Sequence, residues 1–294
     1  NAEVYTGEAK WSECLAACNK VSDGGFSLHS GEANTSSPLG NKYYELFGDV
    51  SPQDETILSI FATIDILSRN VYAVRSLSGL NAKALFGYDG WNGTIVPKDF
   101  YLKYAANDIR RNQFLVGEQP GGFNYTLNVS SLDNPGAGPQ EGVRNVKFYP
   151  VAPRTGGGAS NDFPIFRYAD VLLMAAEAIN ELDGPNAAAP YFKMIRERAY
   201  PNNPEKVTAY MQQITTSKDV FFHALVNERA LEFTGEMLRK GDLIRWNLLG
   251  VKLAEAKQKL QQLENRQGKY AALPANIYYK TAADGEKVEI YGLN

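Results

Sequence analysis

The chain has 294 residues, of which 44% are apolar and 21% are charged, a composition typical of one large globular domain or two small ones. Its formal net charge is −3, and its Lys and Arg residues are scattered. Such a chain offers no basic surface for a phosphate backbone, so nucleic acid is not an expected partner. No apolar run reaches the roughly 20 residues that a bilayer-spanning helix needs.

The cysteines and histidines indicate neither a disulfide nor a metal site. Cys14 and Cys18 lie four apart in a predicted helix, where one turn is poor disulfide geometry, so we predict small buried apolar side chains. His29 and His223 are far apart in sequence, and no motif typical of metal or nucleophilic catalysis occurs. We therefore expect no metal and no cofactor.

The first half of the chain divides into two regions. Residues 1–22 are predicted to be the remnant of a helical repeat, with a turn near Gly7 and then an amphipathic helix, which suggests that an earlier portion precedes the chain. Residues 23–162 are rich in Gly, Pro, Ser and Asn and predict loop-rich, partly β structure that carries the candidate ligand surface. Within this region we predict a buried strand at 55–63, a short helix at 99–111 and a strand at 143–151.

A sustained helical period predicts a helical scaffold over residues 163–264. Its first helix has an apolar stripe that includes Tyr168 and Leu182 and stops at Gly184. The second helix is predicted at 189–201. Residues 265–294 are predicted to be an extended tail or a hairpin that turns at Asp284 and Gly285.

The last two helices of this scaffold have their own apolar stripes. The third is predicted to bury a stripe that runs from Phe222 to Met237, with Gly241 as a left-handed C-cap and Asp242 as the next N-cap. The fourth carries Leu253, Ala256, Leu260 and Leu263 on one face, and Glu255 and Lys259 are predicted to pair on the outside.

Two charged pairs suggest either catalysis or structure. Arg167 and Asp170 open the first helix, where a carboxylate is favoured and a guanidinium can snorkel, so we interpret both as structural. Glu228 and Glu232 stand one turn apart and could be the acid and base of a hydrolase, although one helix face forms no cleft. We favour an interhelical ion network, because arginines are plentiful nearby. These arginines are Arg196, Arg198, Arg229, Arg239 and Arg245.

The segment ALFGYDGWNGTIVPKDFY, residues 84–101, places aromatic side chains among glycines that disfavour a helix or a plain strand. We therefore predict a surface loop. Two alternatives stay open: the Trp91 ring is a buried anchor, or it belongs to an exposed platform on which sugar rings stack. The candidate ligand contacts are Trp91, Tyr88, Phe86 and Asn92.

Three motifs in the helical region carry a family resemblance. They read FPIFRYADVLLMAAEAINEL, IRERA and NERALEFTGEMLRKGDLIRW, and they fall on Arg167 to Ala178, Arg196 to Ala199 and Glu228 to Trp246. In this order they resemble the C-terminal half of the SusD/RagB family of surface nutrient-binding lipoproteins. Weaker similarities in ETILSIFA, GWNG and NDIRRNQF extend the resemblance over most of the chain.

The resemblance implies a mostly α fold, with a SusD-like, tetratricopeptide-like helical scaffold and a loop-rich, partly β insertion. The motif helices build the scaffold in that family and form no catalytic centre, so the resemblance implies a protein that is not an enzyme. It also implies a lipid anchor on the outer membrane of a Bacteroidetes-type cell and a SusC-like TonB-dependent transporter as partner. The signal peptide, the lipidated cysteine and the earlier repeats of the family would precede Asn1.

On this basis the expected function is capture of an oligosaccharide or polysaccharide and its transfer to the transporter. Three alternatives remain open at this point: a peptide as cargo, a helical-repeat scaffold that binds only protein, and a hydrolase that uses Glu228 and Glu232.

Overall fold

The computed structural model describes residues 9–62, 70–77, 79–87, 89–91, 93–121, 123–125, 140–150, 159–271, 276–281 and 287–292. Most of its regular structure is helical, as the sequence predicts. The α-helices are α1 (Trp11–Ser22), α2 (Tyr72–Ser76), α3 (Gly79–Phe86), α4 (Lys98–Tyr101), α5 (Tyr168–Asp183), α6 (Pro185–Ala199), α7 (Pro204–Ile214), α8 (Lys218–Glu232), α9 (Arg239–Arg245) and α10 (Leu249–Glu264). Shorter 3₁₀ helices are Lys42–Phe47, Ile109–Gln113 and Gly268–Tyr270.

The strands are short and form small separate sheets in the described part of the chain. The strands are β1 (Thr56–Ile60), β2 (Phe114–Leu115), β3 (Gly117–Gln119), β4 (Phe123–Tyr125), β5 (Gln140–Glu141), β6 (Arg144–Asn145), β7 (Phe163–Arg167), β8 (Asn276–Thr281) and β9 (Lys287–Gly292). Antiparallel pairs form between β1 and β7, β2 and β6, and β8 and β9, and a three-stranded sheet has the order β3-β4-β5.

Helix α5 is the centre of the helical region and packs against α1, α6 and α8. From Tyr168 to Asn180 every residue except Met174 is buried, which is typical of a helix that is covered on all sides. The helix ends at Gly184, whose φ of 90° favours glycine, and Pro185 then occupies the first turn of α6. The fold is thus the mostly α scaffold that the sequence predicts.

Helix α1 lies along α5, and its two cysteines are free, as predicted. Cys18 is buried and Cys14 is partly buried in the same apolar cluster. Burial, with the neighbouring Cys14 thiol, raises the pKa of Cys18 to about 12, so this side chain remains a neutral, apolar thiol.

The region before β7 has its own core, which is built from aromatic rings. Tyr43 and Phe148 both pack edge-on against Phe47, at ring-centroid distances of 5.5 and 5.3 Å, and Phe163 stacks on Phe148 at 5.2 Å. Such contacts stabilise aromatic pairs beyond the area that they bury. Short helices and turns here are therefore held by packing between distant segments, as their length alone would not stabilise them.

The three elements predicted in this region form only in part. The strand at 55–63 exists as β1, but its predicted burial is wrong, because Leu58 and Ile60 are more than half exposed. The helix predicted at 99–111 is limited to α4 and a separate 3₁₀ turn, and the strand predicted at 143–151 shortens to the two residues of β6.

Helix α8 ends earlier than the sequence predicts. It begins at the N-cap Ser217, whose side chain accepts a hydrogen bond from the Val220 N–H, and its last residue is Glu232. The predicted stripe to Met237 is therefore wrong at its end, where Met237 is 80% exposed. The predicted caps at Gly241 and Asp242 are also wrong, because both residues lie inside α9.

Helix α10 and the tail are formed as predicted, but the apolar face of α10 is not covered. None of its residues is buried, and Leu253 and Leu260 are 60% and 65% exposed. Glu255 pairs with Lys252 at 2.9 Å rather than with Lys259. Strands β8 and β9 form the predicted hairpin, whose predicted turn at Asp284 and Gly285 lies outside the described residues.

Candidate functional site

Glu228, one of the two paired carboxylates of α8, lies inside an ion network. Its Oε1 accepts a hydrogen bond from Arg110 at 2.7 Å, and its Oε2 accepts one from Arg196 at 3.0 Å. The side chain is 1% exposed. The two arginines come from the 3₁₀ turn after α4 and from α6, so one carboxylate joins three distant segments.

Glu232, one turn later, is shared by three guanidinium groups. Its Oε2 accepts from Arg110 at 3.0 Å, and its Oε1 lies 2.7 Å from Arg167 and also accepts from Arg198. The side chain is fully buried. Both of its oxygens therefore face positive charge, which is the arrangement that a buried carboxylate requires.

Further charged groups complete this network away from α8. Arg167 donates to Glu236 at 2.7 Å and to Glu55 at 2.8 Å. Lys147 donates to Glu236 and to the backbone carbonyl of Glu232, and Arg198 donates to Glu55. None of these residues is more than 7% exposed. The network thus connects the aromatic core to the helical core through paired, hydrogen-bonded charges.

These contacts determine the protonation states of the network. Burial opposes ionisation of Glu228, Glu232 and Glu236, but the neighbouring cations outweigh it and lower the pKa of each carboxyl. Burial, assisted by the Arg167 charge, lowers the pKa of Lys147 to about 8 in spite of its contact with Glu236. All three carboxylates are therefore ionised at neutral pH.

The network decides between two hypotheses for Glu228 and Glu232. Both carboxylates are closed off from solvent and bound to arginines, so neither can meet a substrate, and their predicted role in an ion network is confirmed. The sequence reasoning named Arg196 and Arg198 but missed Arg110. The only signal for Arg110 was its place in the NDIRRNQF segment.

For the pair Arg167 and Asp170, the structure agrees with the prediction at Asp170 and contradicts it at Arg167. Arg167 does not snorkel: its side chain is 2% exposed, and the prediction is wrong because three carboxylates hold it in the interior. Asp170 lies in the first turn of α5, as predicted, and also accepts a hydrogen bond from Arg229 at 2.6 Å. Both residues are structural.

The remaining arginines of the prediction join α5, α8 and α9. Arg229 also contacts Asp242 at 2.8 Å, and Arg245 pairs with Glu177 at 2.6 Å. Arg239 differs, because its guanidinium donates to the Val226 backbone carbonyl. It forms no salt bridge among the residues that the structure describes.

The exposed aromatic ring of Trp91 lies on a loop that is fixed to α2. The Trp91 and Gly93 N–H groups donate at 2.7 Å to the carbonyls of Val74 and Arg75, which lie in the last turn of α2, where intrahelical partners are missing. The Arg75 guanidinium lies over the indole, 5.4 Å from the ring centroid. The ring is 54% exposed. Of the two alternatives, the exposed ring is the one observed.

The other three candidate contacts lie in different environments. Phe86 belongs to α3, which contradicts the prediction that the segment has no helix, and is 2% exposed. Its ring packs edge-on against Tyr149 at 5.0 Å, so it belongs to the aromatic core. Tyr88 and Asn92 lie outside the described residues and remain sequence predictions.

Two cavities open beside the turn between α8 and α9. The larger, of about 570 Å³, includes Phe100, Lys103 and Lys240 in its lining. The smaller, of about 430 Å³, lies between this turn and β7 and includes Ile60. Met237 lines both. The larger cavity falls within the range of small-molecule sites.

Replacing Met237 with glycine is expected to stabilise the protein. Met237 has a φ of 63°, a left-handed conformation that costs an ordinary L-residue about 1 to 2 kcal/mol, and its side chain is largely in solvent. After the entropy cost of a glycine is subtracted, we expect a net gain of about 0.5 to 1 kcal/mol. Urea denaturation measures this gain in the free energy of unfolding. Met237→Ala, which removes the side chain and keeps the strain, should give no gain, and an equal gain there would contradict the strain argument.

No metal-binding group of three or more His, Cys, Asp or Glu side chains occurs among the described residues. In the same part of the chain, no helix combines the length and apolar character needed to cross a membrane.

Comparison with known proteins identifies the fold family. The sequence model of the SusD family matches residues 8–289. The chain belongs to the SusD family. Among curated relatives, SusD-like protein P25 of Formosa agariphila is 35% identical over 167 residues, which are 55% of this chain and 28% of that protein. SusD-like protein P2 of the same organism is 27% identical over 185 residues, which are 60% of this chain and 35% of that protein.

Solved structures show the same SusD fold. A SusD-like protein from Bacteroides fragilis aligns with a TM-score of 0.60 at 18% identity, over 81% of this chain and 51% of that one. Surface glycan-binding protein A from Bacteroides thetaiotaomicron, in complex with laminarihexaose, aligns with a TM-score of 0.53 at 22% identity, over 81% of this chain and 50% of that one. The chain therefore spans about half the length of these SusD structures and a smaller share of the curated relatives.

Proposed function

We propose that this SusD-family chain belongs to a non-catalytic glycan-binding protein of the cell surface. It captures an oligosaccharide or polysaccharide and passes it to a SusC-like TonB-dependent transporter. The ligand surface lies in residues 23–162, and residues 163–264 form the scaffold. A lipid anchor would hold the protein on the outer membrane.

The observation that carries the proposal is the exposed indole of Trp91 on a fixed loop. Sugar rings present apolar C–H faces that stack on an aromatic ring, and a ring that is already held in place loses little entropy on binding. Two backbone hydrogen bonds to α2, from the Trp91 and Gly93 N–H groups, hold the loop. The family membership and a relative whose structure contains laminarihexaose support a glycan as the ligand.

Trp91→Ala is expected to weaken glycan binding at least about tenfold, because a central aromatic contact contributes much of the affinity at such sites. Affinity gels and calorimetry with a panel of soluble glycans, including laminarihexaose, measure the change. Phe61→Ala is the control, because Phe61 is 71% exposed in a different segment. Unchanged affinity in Trp91→Ala would remove this ring from the site, and the absence of binding to every glycan would contradict the proposal for this chain.

A second candidate is a protein-interaction scaffold without a small ligand, including one that takes peptides. The exposed leucines of α10 favour it, because apolar side chains at helical spacing form a docking surface for another helix. Co-purification of a SusC-like transporter with this chain, together with no affinity for any glycan, would favour this candidate over glycan capture.

A further inference from the structure

The larger cavity carries a charge pattern that the proposed function does not use. Its apolar wall is formed by the half-buried rings of Tyr72 and Phe100 and by the buried ring of Phe233. Lys103, which follows α4, and Arg239 and Lys240, which begin α9, bring three cations to the same cavity. An apolar wall beside a group of cations is suited to a ring-shaped ligand with an anionic substituent.

Three of the cations at this cavity have no acidic partner in the described part of the chain. Lys103, Arg239 and Lys240 form no salt bridge with any residue that the structure describes. Arg229 also lines the cavity, but Asp170 and Asp242 already pair with it.

Two carboxylates that attract these cations, Glu255 and Asp242, are bound by other residues. Glu255, which attracts Lys103, forms its own salt bridge with Lys252. Asp242, which attracts Arg239, is bound by Arg229 and also by Arg245 at 2.9 Å.

The electrostatic environment of Lys103 agrees with this geometry. Partial burial lowers the pKa of Lys103, and the charges of Arg239, Lys252 and Lys259 lower it further. A bound anion would relieve both effects, because it supplies the opposite charge that Lys103 lacks. The Arg239 guanidinium is held in place by its 2.9 Å hydrogen bond to the Val226 carbonyl, so part of the site is ordered before any ligand binds.

The apolar wall is also held in place. Gly235 has a φ of 85°, and a Cβ there would lie 2.6 Å from the Tyr72 hydroxyl, so only glycine allows Tyr72 this position. Phe100 packs edge-on against the buried Tyr104 at 5.8 Å. The cavity is thus bounded by rings that have fixed neighbours.

From these observations we infer that the cavity lined by Lys103, Arg239 and Lys240 binds the carboxylate or sulfate group of an acidic sugar, whose ring lies against Tyr72 and Phe100. The inference rests on the proposed function only in taking the ligand to be a saccharide. It adds a second site, apart from Trp91, and it predicts a preference for acidic over neutral glycans.

Matched pairs of ligands test the charge requirement. Calorimetry compares an oligogalacturonate with its methyl ester, and a sulfated galactan oligosaccharide with its desulfated form. The acidic member of at least one pair is expected to bind about tenfold or more tightly than its neutral counterpart, and the pair that shows the difference identifies the anion. Raising the salt concentration from about 0.02 to about 0.2 M should weaken binding of the acidic ligand and leave binding of the neutral ligand unchanged. Equal affinity within both pairs would overturn the inference.

Single substitutions then locate the site. Lys103→Gln and Lys240→Gln are each expected to weaken binding of the acidic ligand about tenfold and to leave the affinity for neutral ligands unchanged. Lys193→Gln is the matched control, since Lys193 is exposed on α6 and pairs with Glu197. Unchanged affinity of both cavity variants for the acidic ligand would overturn the inference. An oligoglutamate peptide that binds the unchanged chain as tightly as the acidic sugar does would also overturn it.

The two proposals fail separately. Suppose that neutral glycans bind more weakly to Trp91→Ala and that the lysine variants bind acidic ligands as tightly as the unchanged chain does. This result would reject the acidic site and leave the proposed function intact. Acidic-sugar binding that depends on Lys103 and survives Trp91→Ala would support the cavity and remove Trp91.

Discussion

Replacing Glu232 with glutamine is expected to lower the free energy of unfolding by at least about 3 kcal/mol. Both carboxylate oxygens face guanidinium groups, from Arg110 on one side and from Arg167 and Arg198 on the other. Whichever way the glutamine amide turns, its NH2 group meets an arginine donor. The substitution also leaves buried positive charge without its counter-charge, which is costly in the interior.

Chemical denaturation of Glu232→Gln against Glu197→Gln measures this effect. Glu197 is a half-exposed glutamate that pairs with Lys193 one helical turn away, an interaction that contributes about 0.2 to 0.5 kcal/mol. Circular dichroism at low temperature shows whether the Glu232 variant still folds, and failure to fold agrees with the prediction. A loss of less than about 1 kcal/mol would mean that the network tolerates an uncompensated cation.

Stability is expected to fall steeply as the pH drops below about 4.5, the ordinary pKa of glutamate. The pKa values of Glu228, Glu232 and Glu236 are lowered in the folded state, so the unfolded chain takes up protons first. Their contribution is therefore present above pH 4.5 and is lost as the pH falls. Each carboxyl that gains a proton on unfolding adds a slope of up to about 1.4 kcal/mol per pH unit.

Denaturation at a series of pH values from 7 to 3 tests this expectation. Glu232→Gln has one titrating group fewer in the network, so its free energy of unfolding should depend less steeply on pH than that of the unchanged chain. Glu197→Gln should reproduce the unchanged slope, because Glu197 is half-exposed and lies outside the network. Parallel curves for all three proteins would show that the acid sensitivity comes from other groups.

The buried network links the aromatic core to the helical core. Arg110 comes from the region that carries the Trp91 loop, Glu228 and Glu232 come from α8, and Arg198 comes from α6. Breaking the network would therefore release the proposed ligand surface from its scaffold as well as destabilise the chain. This arrangement agrees with a proposed role in which the helices position the Trp91 loop.

How far the sequence predicts this structure depends on the range of the interaction. Helix α5 and the hairpin of β8 and β9 follow from local pattern, because apolar spacing and turn residues act over a few positions. The ends of α8 and α9 do not, since the break after Glu232 depends on the turn that places Gly235 against Tyr72. The partner of Glu228 also could not be predicted, because Arg110 lies 118 residues away in sequence.

The sequence by itself determined the family and the mostly α scaffold, since these depend on motifs and residue types in local order. Only the tertiary structure decided that Phe86 is buried while Trp91 is exposed, that Arg167 lies in the interior, and that Lys103 meets Lys240 at one cavity. The physical reason is that burial and charge pairing are relations between segments brought together by folding, and a short stretch of sequence does not record them.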